Sequence, residues 1–229
     1  KTIQSVLNQT YDNVEYIVID GGSTDESTDI LRKYDSQIDY WVSEPDKGIS
    51  DAFNKGIEIA AGDWLNFLNA GDSYISEKTL SNVAVYFGQK YIITGFSRSG
   101  KGRCPRRAKR NSQPLHVKSR ISHQASFINR TIFLEKGGFS TDFKIRMDYD
   151  FWMRVLKEYE FIFISDFFVF FDITGVSGSD RELFYREELL INSRHLKNGA
   201  LLNLIVRGKY YIEKLLGRRI IIKLLELVQ

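Results

Sequence analysis

The sequence predicts an α/β fold: a mixed, mainly parallel sheet flanked by helices, with a helical extension at the C-terminus. Three observations predict it. Strand and helix patterns alternate through residues 14–68, acids stand where the first and third of those strands end, and the chain from Arg194 onward sets apolar clusters between basic residues. Strand–helix–strand alternation is the pattern of parallel strands joined by covering helices. Ligands of such sheets gather beyond the carboxyl ends of the strands. Asp20 and Asp72 both fall there.

Residues 2–8 read as a helix already under way, with Ile3, Val6 and Leu7 on one face. Lys1 does not look like a natural beginning, so a preceding strand is expected to be missing. Residues 14–20 (VEYIVID) form a β-branched run that ends in Gly21-Gly22. Residues 25–34 follow as a helix with an Ile30, Leu31, Tyr34 stripe, and 38–43 as a second strand. Residues 51–61 are helical, with Gly62 as the expected C-cap. Residues 64–68 make a third strand, 79–87 a helix and 91–96 a strand. The polar, basic stretch 97–111, with Gly100, Gly102 and Pro105, reads as a loop or loose hairpin. Then come a strand at 125–129, a short helix at 131–136 stopped by Gly137-Gly138, and a helix at 148–158 with Phe151, Val155 and Leu156 inward. Residues 161–171 are aromatic and β-like, 175–180 are a Gly/Ser-rich loop, and the chain is helical from Arg181. The reading divides the chain into a domain over 1–180 and a basic amphipathic extension over 181–229.

Hydrophobic residues make up 43% and charged residues 27% of the 229 residues, ordinary globular usage that excludes wholesale disorder. A single cysteine, Cys104, excludes an intrachain disulfide and a thiolate-built zinc site, and fits a cytoplasmic protein. No apolar run reaches the length of a membrane span. The net charge of +3 is unevenly spread: residues 194–229 hold eight Lys/Arg against two Glu, a charge of +6, so residues 1–193 sum to −3. Seven more Lys/Arg lie between Arg98 and Arg110 without an acid. Such blocks suit anionic partners. No nucleic-acid module accompanies them, so nucleic acid is not among the expected partners.

Four segments can carry chemistry. In Val18-Ile19-Asp20-Gly21-Gly22-Ser23-Thr24-Asp25, a carboxylate at a strand end can accept from a nucleobase imide, and the amides beyond it can receive ligand oxygens. The same segment reads equally as a turn in which Ser23 or Thr24 caps a helix. Glu44-Pro45-Asp46-Lys47-Gly48-Ile49-Ser50-Asp51 gathers acids and a lysine suited to ribose and phosphate, or to capping the following helix. In Asn69-Ala70-Gly71-Asp72, Asp72 is placed to hold a hard cation against a diphosphate, with Asn69 the weaker ligand. In Arg146-Met147-Asp148-Tyr149-Asp150-Phe151-Trp152, an acid at a helix start can act as a general base. The helix N-terminus lowers its basicity, and burial against Trp152 raises it.

VIDGGSTD, EPDKGISDAFNKG, GDWLNFLNAGD, HQASFINR and MDYDFWMRV, in this order, resemble the inverting family-two glycosyltransferases of the GT-A (Rossmann-like) fold. The resemblance covers residues 1–180 and is closest to enzymes that build bacterial surface polysaccharides such as colanic acid, capsule and O-antigen. It implies that Asp20 and Ser23 contact the donor nucleotide and that Lys47 and Asp51 frame it. Asp72 would be the last acid of a DXD-type motif holding Mn2+ or Mg2+, and Asp148 the catalytic base. His123 and Gln124 would lie near the reaction centre or acceptor. The chain departs from the family pattern at three places. Gly21 follows Asp20 where two acids are common, the DXD is reduced to Asn69-Ala70-Gly71-Asp72, and Met147 replaces the Glu of a Glu-Asp pair.

The implied partners are a nucleotide-sugar donor and a glycan or polyprenyl-phosphate-linked acceptor. The loop 175–180 resembles one that folds over the donor. The apolar and basic pattern of 200–229 suits either the inner face of the plasma membrane or packing, including a homodimer. Two other readings compete: a sugar-nucleotide pyrophosphorylase, and a nucleotide-sugar-binding protein without catalysis.

Overall fold

The computed structural model describes residues 1–99, 121–172, 180–196 and 199–216. The chain divides into two compact units, residues 1–173 and 174–229. In the first unit the elements run α1 (Thr2–Leu7), β1 (Ile17–Asp20), α2 (Ser27–Lys33), β2 (Tyr40–Ser43), α3 (Ile49–Ile59), β3 (Trp64–Leu65), β4 (Ser73–Tyr74), α4 (Thr79–Ala84), β5 (Ile92–Ser99), β6 (Ser126–Asn129), α5 (Arg130–Lys136), α6 (Met147–Val155) and β7 (Phe161–Phe171). The second unit contains α7 (Arg181–His195) and α8 (Gly199–Leu216). The predicted loop at 175–180, most of the basic stretch 98–110 and the last residues 217–229 lie outside the described residues, apart from Arg98, Ser99 and Asp180.

The class is mixed α/β, as the sequence predicts, and its parallel ladders are β1 with β2 and the long β5 with β7. The other strands pair antiparallel, in shorter ladders, so that a five-stranded sheet runs β3-β6-β5-β7-β4. The third predicted strand therefore joins a different sheet from the first two. Alternation along the chain says that strands exist; it does not choose their neighbours.

Local departures from the expected boundaries have local causes. Helix α3 ends without the expected glycine cap: Ala60 turns extended at φ −57°, ψ 129°, and the Glu15 carboxylate takes the next amides, Ala61 N at 2.8 Å and Gly62 N at 3.1 Å. Strand β3 pairs over two residues instead of five because Asn66 reaches across with its side chain. Its Nδ2 donates to Gln124 O at 2.9 Å and Ser126 O at 2.8 Å, and its Oδ1 accepts from Tyr74 Oη at 2.8 Å. Strand β5 runs on to Ser99, into the predicted loop, because β7 continues beside it to Phe171.

The core lies against the five-stranded sheet. Ile92, Ile93 and Ile128 are fully buried, and Val83, Phe127, Phe168 and Val169 pack with Ile93. Phe53, Phe67, Phe133, Phe139 and Phe151 form a second, aromatic cluster with ring centroids 4.8–5.8 Å apart. Each such pair adds about 0.5–1.5 kcal/mol beyond burial. The cluster clamps α3, α5 and α6 together, and α3 and α6 each carry a residue of the candidate site, Asp51 and Asp148. Helix α6 buries Phe151 and Val155 as predicted, at 0% exposure, but Leu156 is half-buried at its C-cap. The helix also buries Met147, Tyr149, Asp150, Trp152 and Met153, so it is enclosed on most sides.

Candidate active site

Two groups of polar side chains form where the predicted residues meet. The first stands at the ends of β1 and β2. Asp20 closes β1, and its Oδ2 accepts from Gly22 N at 3.2 Å, Ser23 N at 2.9 Å and Ser43 Oγ at 2.6 Å, while its Oδ1 accepts from Ser23 Oγ at 2.5 Å. Burial pushes its carboxyl up, but the bonds from Ser23 and Ser43 outweigh burial and hold it below the ordinary carboxylate range. Asp20 is thus an anion fixed in direction by the turn that follows it.

Asp46 belongs to the same group, though the sequence did not single it out as a site residue. Its Oδ1 accepts from Gly48 N at 2.7 Å, and its Oδ2 lies where a Cβ on Gly21 would stand. A glycine at position 21 therefore makes room for a carboxylate from the end of the next strand. Lys47 and Asp51 sit at the start of α3, where Asp51 Oδ2 accepts from Lys47 N at 3.1 Å. The N-cap of α3 is Gly48, which has no side-chain cap bond, and Ser50 instead donates to Phe143 O at 3.0 Å, so the capping alternative for this segment is not realised. Lys55, one turn further on, pairs with Glu44 at 2.7 Å, and that bond holds its ammonium above its ordinary value.

The second group joins residues distant in sequence. Asp72 is 1% exposed. Its Oδ2 accepts from Asn69 N at 3.2 Å and its Oδ1 from Asp172 N at 2.8 Å, and the Gln124 side chain also bonds to it. Burial pushes its carboxyl up, and these bonds with the nearby His123 oppose burial only in part. Helix α1 holds the turn from behind: Thr2 Oγ1 donates to Asp72 O at 2.7 Å and accepts from Gly71 N at 3.0 Å. Gly71 has φ +96°, a conformation that favours glycine, and a Cβ there would strike the Asp172 carboxyl.

His123 links this turn to α6. Its Nδ1 lies 3.5 Å from Asp148 Oδ2, and its Nε2 lies 3.4 Å from Asn69 Nδ2. The Phe53 ring meets the imidazole edge-on at 5.8 Å. Asn66 holds the short 3-10 turn His123–Ala125 from beneath through its bonds to Gln124 O and Ser126 O. Asp148 Oδ1 accepts from Tyr149 N at 2.7 Å. Burial raises the Asp148 carboxyl, but the His123 bond and charge, then Arg146, carry it below its ordinary value. Burial acts in the expected direction, but the lowering that outweighs it comes chiefly from His123, which the sequence reading did not weigh.

Helix α6 is itself tied down. Arg154 pairs with Asp150 at 3.0 Å and donates to Lys136 O at 2.7 Å and Gly138 O at 2.6 Å, at the C-terminal end of α5. Met147, which stands in place of an acid, is buried at 3%. The structure therefore gathers Asp72, His123, Gln124 and Asp148, together with Asn69 and Asp172. Asp20, Ser23, Lys47 and Asp51 stand in the other group, with α3 as the bridge. Asp46, Asn66 and Asp172 were not singled out from sequence. Asp172 ends an aromatic strand one hundred residues from Asp72, and no spacing signals such a pairing.

Among the described residues, no group of three His, Cys, Asp or Glu is gathered for a metal. Two carboxylates, Asp72 and Asp172, nevertheless flank the Gly71 backbone. That donor set is all oxygen and too small to enclose an ion. It fits a hard divalent cation held mainly by a ligand's phosphates, since Mg2+ and Mn2+ commonly use one or two protein carboxylates.

A family model described as Glycosyl transferase family 2 matches residues 1–161. The chain belongs to glycosyl transferase family 2. Among the relatives of this family-2 glycosyltransferase, the uncharacterized glycosyltransferase Rv1514c of Mycobacterium tuberculosis is 34% identical over 190 residues, covering 80% of this chain and 72% of its own length. The Escherichia coli UDP-Glc:alpha-D-GlcNAc-diphosphoundecaprenol beta-1,3-glucosyltransferase WfgD is 30% identical over 166 residues, covering 69% of this chain and 64% of its own length. S. aureus TarS 1–349 in complex with UDP superposes with a TM-score of 0.67 at 16% identity, over 95% of this chain and 68% of that one. The mannosyltransferase PcManGT from Pyrobaculum calidifontis, in complex with GDP-Man and Mn2+, gives 0.66 at 17% identity, over 93% and 65%. These two likenesses show the GT-A fold. Membership of the glycosyltransferase family displaces the pyrophosphorylase reading.

Proposed function

We propose that this family-2 glycosyltransferase transfers a sugar with inversion from a nucleotide-sugar donor to a hydroxyl of a glycan or polyprenyl-phosphate-linked acceptor, in bacterial surface-polysaccharide assembly. One observation carries the proposal: His123 stands between the ionised Asp148 and the turn that bears Asp72. The WfgD name supplies the acceptor class by relatedness.

In this reading Asp20, with Asp46 beside it, meets the donor base, and Ser23, Lys47 and Asp51 frame the ribose and phosphates. Asp72 and Asp172 would hold Mn2+ or Mg2+, which as a Lewis acid offsets the charge growing on the leaving diphosphate. Asp148 accepts the proton of the acceptor hydroxyl while that oxygen attacks the anomeric carbon from the face opposite the diphosphate. The C–O bond to the diphosphate breaks as the new one forms. His123 fixes the direction of Asp148 and keeps it ionised at neutral pH, in exchange for basicity. Gln124 holds Asp72 from the acceptor side.

Asp148→Asn should bind donor as the wild type does and lose about 10²-fold or more in transfer, read by titration calorimetry and by a coupled assay for released nucleotide diphosphate. Transfer within a few-fold of wild type would remove Asp148 from the role of base. Donor binding with no transfer to any acceptor, in the wild type itself, would favour the non-catalytic reading.

A further inference from the structure

We infer that the outward face of α8 is a docking surface for an anionic lipid leaflet. Among the described residues the helix packs on α7 by one side. Glu213, its single acid, is turned toward α7, where its Oε1 pairs with Arg181 Nε at 2.8 Å and its Oε2 accepts from Tyr185 Oη at 2.6 Å. Val206 is 1% exposed, and Tyr210 meets Tyr185 edge-on at 5.5 Å. On the opposite side Leu204, Ile205, Tyr211, Ile212 and Leu215 are exposed by 51–84%. With 3.6 residues per turn, these five side chains and Gly208 project within an arc of about 120°. That is a continuous apolar stripe, not a scatter of single exposed residues.

Charge names the occupant. Arg207 and Lys214 border the stripe on one edge and Lys209 on the other, all three exposed. With Glu213 turned inward, the outward face carries cations and no acid. An apolar stripe rimmed by cations fits acyl chains beneath anionic headgroups, and each cation near such a surface adds attraction. Among the described residues no helix is long and apolar enough to cross a membrane, so α8 would lie in the interface, along the leaflet. Gly208 sits in the middle of the stripe, and a Cβ there would meet nothing within 4 Å. The stripe can therefore be enlarged at that point without a clash. The inference rests on α8 alone, and vesicle binding is read without donor, acceptor or metal, so it stands or falls separately from the assignment of Asp148.

The test is co-sedimentation of the full chain with phosphatidylglycerol-containing vesicles and with pure phosphatidylcholine vesicles, over a salt series. Binding is expected to the anionic vesicles and to weaken with salt. Leu204→Glu with Ile212→Glu should lower it on the order of tenfold, Arg207→Gln with Lys209→Gln by a similar factor, and Gly208→Leu should raise it several-fold. Circular dichroism and donor titration of each variant show that the fold is kept. Equal binding to both vesicle types, or no response to these substitutions, overturns the inference. So does a chain that is dimeric by sedimentation equilibrium, becomes monomeric with the Glu pair or with Gly208→Leu, and ignores vesicles: the stripe would then be a subunit interface.

Discussion

At the scale of single residues, the three acids of the candidate site sit in different electrostatic states, each with its own cause. Asp20 and Asp148 are held below the ordinary carboxylate value by hydrogen bonds that overcome burial, whereas burial carries Asp72 above it. The signs follow from linkage. A depressed carboxyl contributes stability that is present above its unfolded value, about 3.9 for Asp, and that is lost as pH falls through its folded value. Asp148→Asn should therefore lose less stability than the wild type between about pH 4 and pH 2, as measured by urea melts. Asp72 behaves oppositely: above its raised value its buried charge costs stability, which a cation returns. Because a metal binds the ionised carboxylate, the rise in melting temperature caused by UDP-sugar or GDP-sugar with Mn2+ should grow as pH rises through the raised value of Asp72, and Asp72→Asn should abolish that growth. A pH dependence unchanged in Asp72→Asn would take Asp72 out of the cation site. Gly21 gives a purely steric test. Gly21→Ala drives a methyl into the Asp46 carboxyl and should weaken donor binding on the order of tenfold by calorimetry. Unchanged affinity would show that Asp46 is not needed in its present place.

At the scale of elements, the site depends on how α3 and α6 are fastened. Asn54 on α3 makes two bonds to one residue beyond α5: Nδ2 donates to Phe139 O at 2.8 Å, and Oδ1 accepts from Phe139 N at 2.8 Å. Gly138 has no Cβ because Asn54 occupies that space. Asn54→Ala leaves a peptide donor and acceptor unpaired, and should cost about 1–3 kcal/mol in urea unfolding. It should also loosen Phe53, one residue earlier, against His123. A loss under about 0.5 kcal/mol would mean that water replaces the side chain without penalty. The helices themselves were readable from apolar spacing, as Phe151 and Val155 in α6 show. Their fastenings were not, because one side-chain amide serving two backbone groups leaves no periodic trace. The misplaced end of α3 has the same origin, since Glu15 captures the amides that a glycine cap was expected to leave to water.

At the scale of the whole molecule, charge is divided along the chain. Residues 1–193 sum to −3 and residues 194–229 to +6. The residues assigned to the donor thus belong to an acidic stretch, although a nucleotide diphosphate is itself an anion. A divalent cation resolves that conflict, and chelation is expected to weaken donor binding more at low salt than at high salt, where acid–phosphate repulsion is screened.

The residue order alone was enough for the α/β class and the family, and it nominated Asp20, Asp72, His123 and Asp148 as candidates, because local periodicity and short motifs are written in adjacent positions. Folding in three dimensions chose the partners: β3 beside β6, Asp172 against Asp72, His123 between Asn69 and Asp148, and Asp46 in the gap at Gly21. Those pairings join segments that lie 25 to 100 residues apart. Their energies depend on distance, direction and exclusion of water, none of which is expressed until the sheet and the aromatic core bring the segments together.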